Sequence, residues 1–203
     1  MALARFFSAF LLALTLFNGA PAVAGDADGP DQLVAAAVNE VMQRFGGKTL
    51  SQEECAAGLG ALIDTYGDLG LTTSRILGHH WKRADDAQKS DPIKLVRDYL
   101  ISSWAGHLND VPPGQQFHIL AAAAAGEDNR AIVQSVLLTP DGDISVDWTV
   151  EHTDGGRFVI SDIKVEGVSM AQTMRGDFTA VIRANDGKIQ PLIDALRTKI
   201  RSY

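Results

Sequence analysis

The chain has a single cysteine, Cys55, which excludes an internal disulfide. No Cys-x-x-Cys pair exists to share a metal. None of the five histidines (His79, His80, His107, His118 and His152) has the HExxH spacing of a zinc protease. His79 and His80 are the only cluster, and neighbours on a helix point about 100° apart, a poor arrangement for joint chelation. There is no G-x-S-x-G elbow, no P-loop and no G-x-G-x-x-G, so the common signatures of α/β-hydrolases, P-loop nucleoside triphosphatases and dinucleotide enzymes are missing. Basic residues are in deficit, 18 Lys and Arg against 25 Asp and Glu, for a formal charge of −7. Nucleic-acid binding depends on Lys and Arg neutralising phosphates, so no nucleic-acid partner is expected. Cys55 falls on an apolar helix face and reads as a small core residue.

Long apolar runs are equally scarce. Phe6 to Phe17, preceded by Arg5, is shorter than the ~20 residues a membrane span needs. Pro21 and Ala22-Val23-Ala24 follow it as an A-x-A cleavage pattern, so residues 1–24 read as a secretory signal peptide. The expectation is export to the periplasm as one domain over residues 25–203, with no cysteine after the cleavage site to carry a lipid anchor.

The rest of the chain has two textures. Leu33, Val34, Ala37, Val38, Val41, Met42 and Phe45 recur at helical spacing up to Gly46-Gly47. Ser51 and Glu54 form a capping box for a second helix carrying Cys55, Leu59, Leu62, Ile63 and Tyr66. Thr72 to Trp81 predicts a third helix. Asp91-Pro92 opens a fourth, with Pro92 at its first position. After Pro112-Pro113-Gly114, residues 116–125, 130–139, 144–153 and 157–165 read as four strands with turns at Asp141-Gly142 and Asp154-Gly155-Gly156. In the third, Ile144, Val146, Trp148 and Val150 alternate with Ser145, Asp147, Thr149 and Glu151. The alanine run 121–125 is read as strand from its flanks. Helices over 169–184 and 190–201 close the chain. The implied class is α+β: a curved antiparallel sheet of about four strands, with the N- and C-terminal helices gathered on one face.

The stretch from Asp162 to Phe178 holds the densest pattern. Gly167 frees a turn, Ser169 and Gln172 make a capping box, and Met170, Met174 and Phe178 form one apolar stripe. Asp162 and Arg175 could pair across the strand–helix junction. This stretch, with Asp162, Glu166, Gly167, Ser169 and Arg175, resembles the C-terminal signature of the toluene-tolerance (MlaC) family, the periplasmic phospholipid carriers of the Mla pathway. It looks closest to the branch associated with hopanoid biosynthesis. Leu77-Gly78 with Trp81, Ala84 and Gln88, the Val146-Asp147-Trp148 strand, and Leu192, Ile193 and Leu196 resemble further family patterns. His80 stands where a Tyr is expected, Ser90-Asp91-Pro92 interrupts a helix, and Pro113 to Gly126 matches weakly.

The resemblance implies a sheet-and-helix cone similar to the nuclear-transport-factor-2 fold, with no catalysis, no cofactor, and a bound phospholipid or hopanoid-type lipid as cargo. It implies as partners an inner-membrane ABC transporter with an MCE-type ring, and an outer-membrane lipoprotein complex. Each methylene withdrawn from a membrane costs about 0.8 kcal/mol, so a carrier must offer a deep apolar cavity. The candidates to line it are Tyr99, Trp104, Phe117, Ile119, Val136, Trp148, Val150, Ile160, Val168, Met170, Met174 and Phe178. The competing readings are a cone-fold enzyme using Asp147 or Asp162 as general base on a small hydrophobic substrate, and an adaptor that docks to a membrane complex with a filled core.

Overall fold

The computed structural model describes residues 29–83, 86–124 and 129–201. The expected leader, Ala84 and Ala125 lie outside these, as does the side chain of Gln88. Among the described residues the order is α1 (Pro30–Phe45), α2 (Gln52–Tyr66), α3 (Leu69–Leu77), α4 (His79–Arg83), α5 (Asp86–Trp104) and a 3-10 turn (Ala105–Asp110). The strands β1 (Gln116–Ala124), β2 (Arg130–Leu138), β3 (Ile144–His152), β4 (Phe158–Val165) and β5 (Val168–Ser169) follow, then α6 (Met170–Ala184) and α7 (Gln190–Ile200). The sheet is an antiparallel meander in sequence order. The class is α+β, as expected.

Local chemistry accounts for most of the boundaries. Pro30 occupies the first turn of α1, where its missing N–H costs no helical bond. Ser51 Oγ accepts from Glu54 N at 3.1 Å, and the Glu54 carboxylate accepts from Ser51 N at 2.8 Å, completing the capping box of α2. The alanine run is strand: Ala121 to Ala124 pair with Gln134 to Ala131, and a bulge after Ile119 leaves Leu120 unpaired and 66% exposed.

Three expectations need correction. The helix predicted over 72–81 is broken at Gly78, whose φ of +54° ends α3 before α4 begins. The fourth helix starts at Asp86, before Pro92, which sits in its interior. Ala87, Gln88 and Lys89 are strong helix formers, so the helix extends upstream although an interior proline forfeits a bond. Helices also do not gather on one sheet face only. α1 lies across β1 to β4, while α3 and α6 pack on β4. Arg75 of α3 pairs at 2.5 Å with Glu151, on the side of β3 expected to be solvated, and Thr149 and Ser161 are buried beside it.

Two apolar cores result. One joins Leu33, Val34, Ala37, Val38 and Phe45 of α1 to Leu62 and Tyr66 of α2 and to Val133 and Val150 of the sheet. The other joins Ile76 and Leu77 of α3, Leu95 and Val96 of α5, Phe178 and Ile182 of α6, and Leu192 and Leu196 of α7.

Candidate ligand-binding cavity

Between the two cores the packing leaves a cavity of about 250 Å³. Ala37 and Val41 of α1, Leu62 and Tyr66 of α2, Trp148 of β3 and Ile160 of β4 form its wall on the side of the first core, and Leu59 and Ile63 of α2 and Ile163 of β4 line it as well. Leu100 of α5 and Ala171 and Met174 of α6 close it from the second, with Met170 of α6 also in the lining. Its polar side chains are Asp68 and Thr72 at the start of α3 and Ser161 and Asp162 of β4. Such a space is lined by methyl, methylene, thioether and ring surface, which suits an apolar ligand.

Tyr66 marks the cavity's boundary. Its side chain lines the cavity, while its hydroxyl donates to Glu40 Oε2 at 2.6 Å. Burial, and then this hydrogen bond, push the Tyr66 hydroxyl up to about 12. The Tyr66 bond and the Arg44 guanidinium hold the Glu40 carboxyl below its ordinary range, against the opposing effect of burial. Beyond Tyr66 lies a larger hollow of about 830 Å³, lined by Asn39, Gln43, Arg44, Lys48 and Glu54. Ala36, Phe45 and Leu50 line it too, but charged and polar side chains share its walls, whereas the smaller cavity is lined almost wholly by apolar surface and is the better candidate.

Four of the twelve candidate residues, Trp148, Ile160, Met170 and Met174, line the cavity. Trp148 is held there by its Nε1 donating to Ser135 Oγ at 2.9 Å. Val150 is fully buried in the first core, against which Phe117 and Ile119 also pack. Tyr99 and Phe178 meet edge to face at 6.0 Å in the second core. Val136 alternates with buried Ser135 and therefore faces the other side of the sheet, half-buried. Trp104 at the end of α5 is 47% exposed, and Val168 beside a hairpin turn is 62% exposed; neither touches the cavity. Leu59, Leu62, Ile63 and Tyr66 were visible in the sequence as a helical stripe, but periodicity does not tell which part of a stripe meets a void. Ala37, Leu100 and Ala171 carry no sequence signal for a cavity.

The signature stretch frames the cavity more than it fills it. Glu166 and Gly167 both have positive φ, 50° and 79°, and connect β4 to β5 as a two-residue turn of the type I′ kind. Glu166 also accepts from Ser145 N at 2.5 Å. The expected Asp162–Arg175 pair is not among the ion pairs of the described residues. Asp162 instead caps α6: its Oδ1 accepts from Ala171 N at 3.0 Å and Ile163 N at 2.9 Å, and its Oδ2 from Ser169 Oγ at 2.5 Å. Ser169 Oγ in turn accepts from Gln172 N at 3.0 Å. The Arg175 guanidinium lies over Gly78, where a Cβ would come within 2.9 Å of Nη2. Leu77-Gly78 and Arg175, distant in sequence, therefore form one contact.

Asp162 thus has both oxygens committed to a helix cap, and Asp147 does not line the cavity, which removes the geometry a general base would need. No cluster of three metal-ligating side chains occurs among the described residues. An antiparallel sheet and helices enclosing an apolar cavity define a small α+β protein built to hold a hydrophobic ligand. The MlaC protein family profile matches residues 34–198, and the chain belongs to that family. The MlaC family is one of non-enzymatic lipid carriers. No curated protein matches the sequence at a significant level. Among solved structures, a phospholipid-binding protein from Ralstonia solanacearum in complex with a phospholipid is similar, with a TM-score of 0.69 and 23% identity. The match covers 83% of this chain and 95% of that one.

Proposed function

We propose that the protein is a soluble periplasmic lipid carrier that moves a phospholipid or hopanoid-type lipid between the inner and outer membranes. In this reading it exchanges cargo with an inner-membrane ABC transporter bearing an MCE-type ring and with an outer-membrane lipoprotein complex. The observation that carries the reading is the apolar cavity between two separate cores. Family membership and the phospholipid held by the Ralstonia relative support it. At the ~30 Å³ that a water occupies in the liquid, and a methylene takes about as much, the cavity holds roughly eight methylenes. A longer tail requires the cores to part. Because the cavity lies on the seam between them, parting widens it without dismantling either core. Met170 and Met174 suit a wall that must adapt, since the thioether chain is flexible and polarisable.

The test is native mass spectrometry of the protein taken from the periplasm, followed by uptake from vesicles after the bound lipid is removed. Co-purified lipid and its reloading are expected. Lipid-free protein that extracts nothing from vesicles would sink the reading.

A further inference from the structure

Four large apolar side chains are exposed among the described residues: Trp104, Leu120, Val165 and Val168. A single exposed apolar residue is ordinary on a protein surface. Here three of the four continue elements that line the cavity. Trp104 lies one turn beyond Leu100 on the same side of α5, Val165 two residues beyond Ile163 on the same face of β4, and Val168 two residues before Met170. Val165 and Val168 are direct partners across the β4–β5 turn, so they form one patch. The helices lead to the same place. Leu100 and Met174 both line the cavity, while Tyr99, one residue back on α5, meets Phe178, one turn further along α6, at 6.0 Å. Following α5 forward to Trp104 and α6 back to Met170 and Val168 therefore reaches one end of the cavity, about 6 Å beyond Leu100 at ~1.5 Å per residue. The apolar lining thus runs out to the surface as a rim of indole and isopropyl groups. Leu120, in the bulge of β1, sits at the opposite edge of the sheet and continues no such path.

We propose that this rim docks on a bilayer surface of zwitterionic lipid, with its end of the cavity turned to the membrane. An alkyl chain passing between bilayer and cavity then stays against apolar surface and avoids water. An indole suits that boundary, since its ring is apolar and its N–H can remain wet. His107 meets the Trp104 ring edge to face at 6.1 Å, so the indole has a side-chain support outside both cores. Charge decides which membrane. The whole chain carries a formal −7, which anionic heads repel. Lys164 and Glu166, on either side of Val165, are opposite in charge, so the rim offers anionic lipid no basic cluster. Three side chains give a brief contact and no anchor, as a shuttle needs. The inference rests on the lipid-carrier reading, and the experiment separates the two.

The exported chain is loaded with a pyrene-tailed phosphatidylcholine, and transfer to acceptor vesicles of phosphatidylcholine is followed by fluorescence. The rate is expected to rise in proportion to acceptor concentration, as contact requires. Trp104→Ser, Val165→Thr and Val168→Thr together remove apolar area from the contact, and are expected to slow transfer about tenfold while changing equilibrium loading by less than about twofold. Leu120→Ser, also exposed but away from the rim, is expected to leave the rate unchanged. Replacing half of the acceptor lipid with phosphatidylglycerol is expected to slow transfer about threefold at low salt, with recovery at high salt. A rate independent of acceptor concentration in the unaltered chain overturns the proposal, whether or not the variants fold. A folded triple variant that transfers at the unaltered rate also overturns it and leaves the rim to a protein partner. So does a folded triple variant that no longer loads, or faster transfer to the anionic vesicles. In all of these the unaltered chain still loads and stands as a carrier. Failure of the unaltered chain to take up the pyrene lipid at all defeats the carrier reading, and this inference with it.

Discussion

Ala37 and Ala171 face the cavity from opposite cores, which makes their replacement by leucine a test with two opposite signs. Each Ala→Leu change adds about three methyl or methylene groups, ~90 Å³ at ~30 Å³ apiece, so the pair fills roughly 180 Å³. The cavity measures about 250 Å³, which leaves space for about two methylenes where about eight fitted. Burial of the added groups contributes at most ~5 kcal/mol at ~0.8 each. Ordering two leucines removes ~0.5–1 kcal/mol apiece, and imperfect fit a further ~1–3. A net gain of about 0–3 kcal/mol remains, a rise in Tm of at most roughly 6–12 °C at ~2–4 °C per kcal/mol for a domain of this size. Cargo binding changes the other way: about six methylenes lose their site, or ~5 kcal/mol of affinity. Thermal unfolding of the lipid-free protein, beside lipid uptake by native mass spectrometry, reads both. A folded double variant that still takes up lipid at the unaltered level would refute the assignment of this cavity as the cargo site.

Four further outcomes follow from the same geometry. Gly78→Ala places a Cβ at φ +54° and 2.9 Å from Arg175 Nη2, so denaturant titration should show a loss of about 2 kcal/mol, partly recovered when Arg175→Ala is added. Tyr66 has a folded-state value of about 12 against an ordinary 10, so its contribution is complete below pH 10 and is lost as pH rises from 10 towards 12; Tyr66→Phe should flatten that alkaline limb of the stability profile. Glu40 is lowered from 4.5, so its contribution is present above that pH and lost as pH falls through the depressed value, and Glu40→Gln should flatten the acid limb. Removing bound lipid should lower Tm, because a ligand held only by the folded state at 100 times its Kd stabilises by ~2.7 kcal/mol; an unchanged Tm at saturating lipid would contradict binding in this cavity.

The strands and most helix ends were legible in the sequence because each carries local chemistry. Ile144 to Val150 alternates, Ser51 and Glu54 reciprocate, and Asp141-Gly142 can hardly avoid a turn. The break at Gly78 was not legible, since a glycine inside a helical pattern fits either a continuing helix or a positive-φ C-cap, and the Arg175 packed over it comes from far along the chain. The role of Asp162 escaped for a related reason. Charge suggested Arg175 as its partner, but the N–H groups opening α6 were nearer and equally in need of an acceptor. The cavity was half legible. Large apolar residues such as Trp148 and Met174 could be chosen by type, but type does not separate a wall from a filled core: Val150 and Phe178 are as apolar as Ile160, yet sit where packing is complete.

An unfilled space of this size is costly to keep. Its walls forgo the packing contacts that a filled core would make across the gap. Apolar walls alone would relax inward. What opposes collapse is a frame of directional polar ties around the gap, Arg75 with Glu151, Arg157 with the Gly67 carbonyl and Asp162 with the start of α6, together with the packing of Arg175 over Gly78. These ties fix α3 and α6 against β4 by geometry, whatever lies between the cores. Of the signature residues, Asp162 ties the start of α6 while Met170 and Met174 line the cavity, and the rest of the wall is ordinary aliphatic side chain. A sequence can keep such a frame while its cavity wall changes, which is why family membership is easier to read than the identity of the lipid.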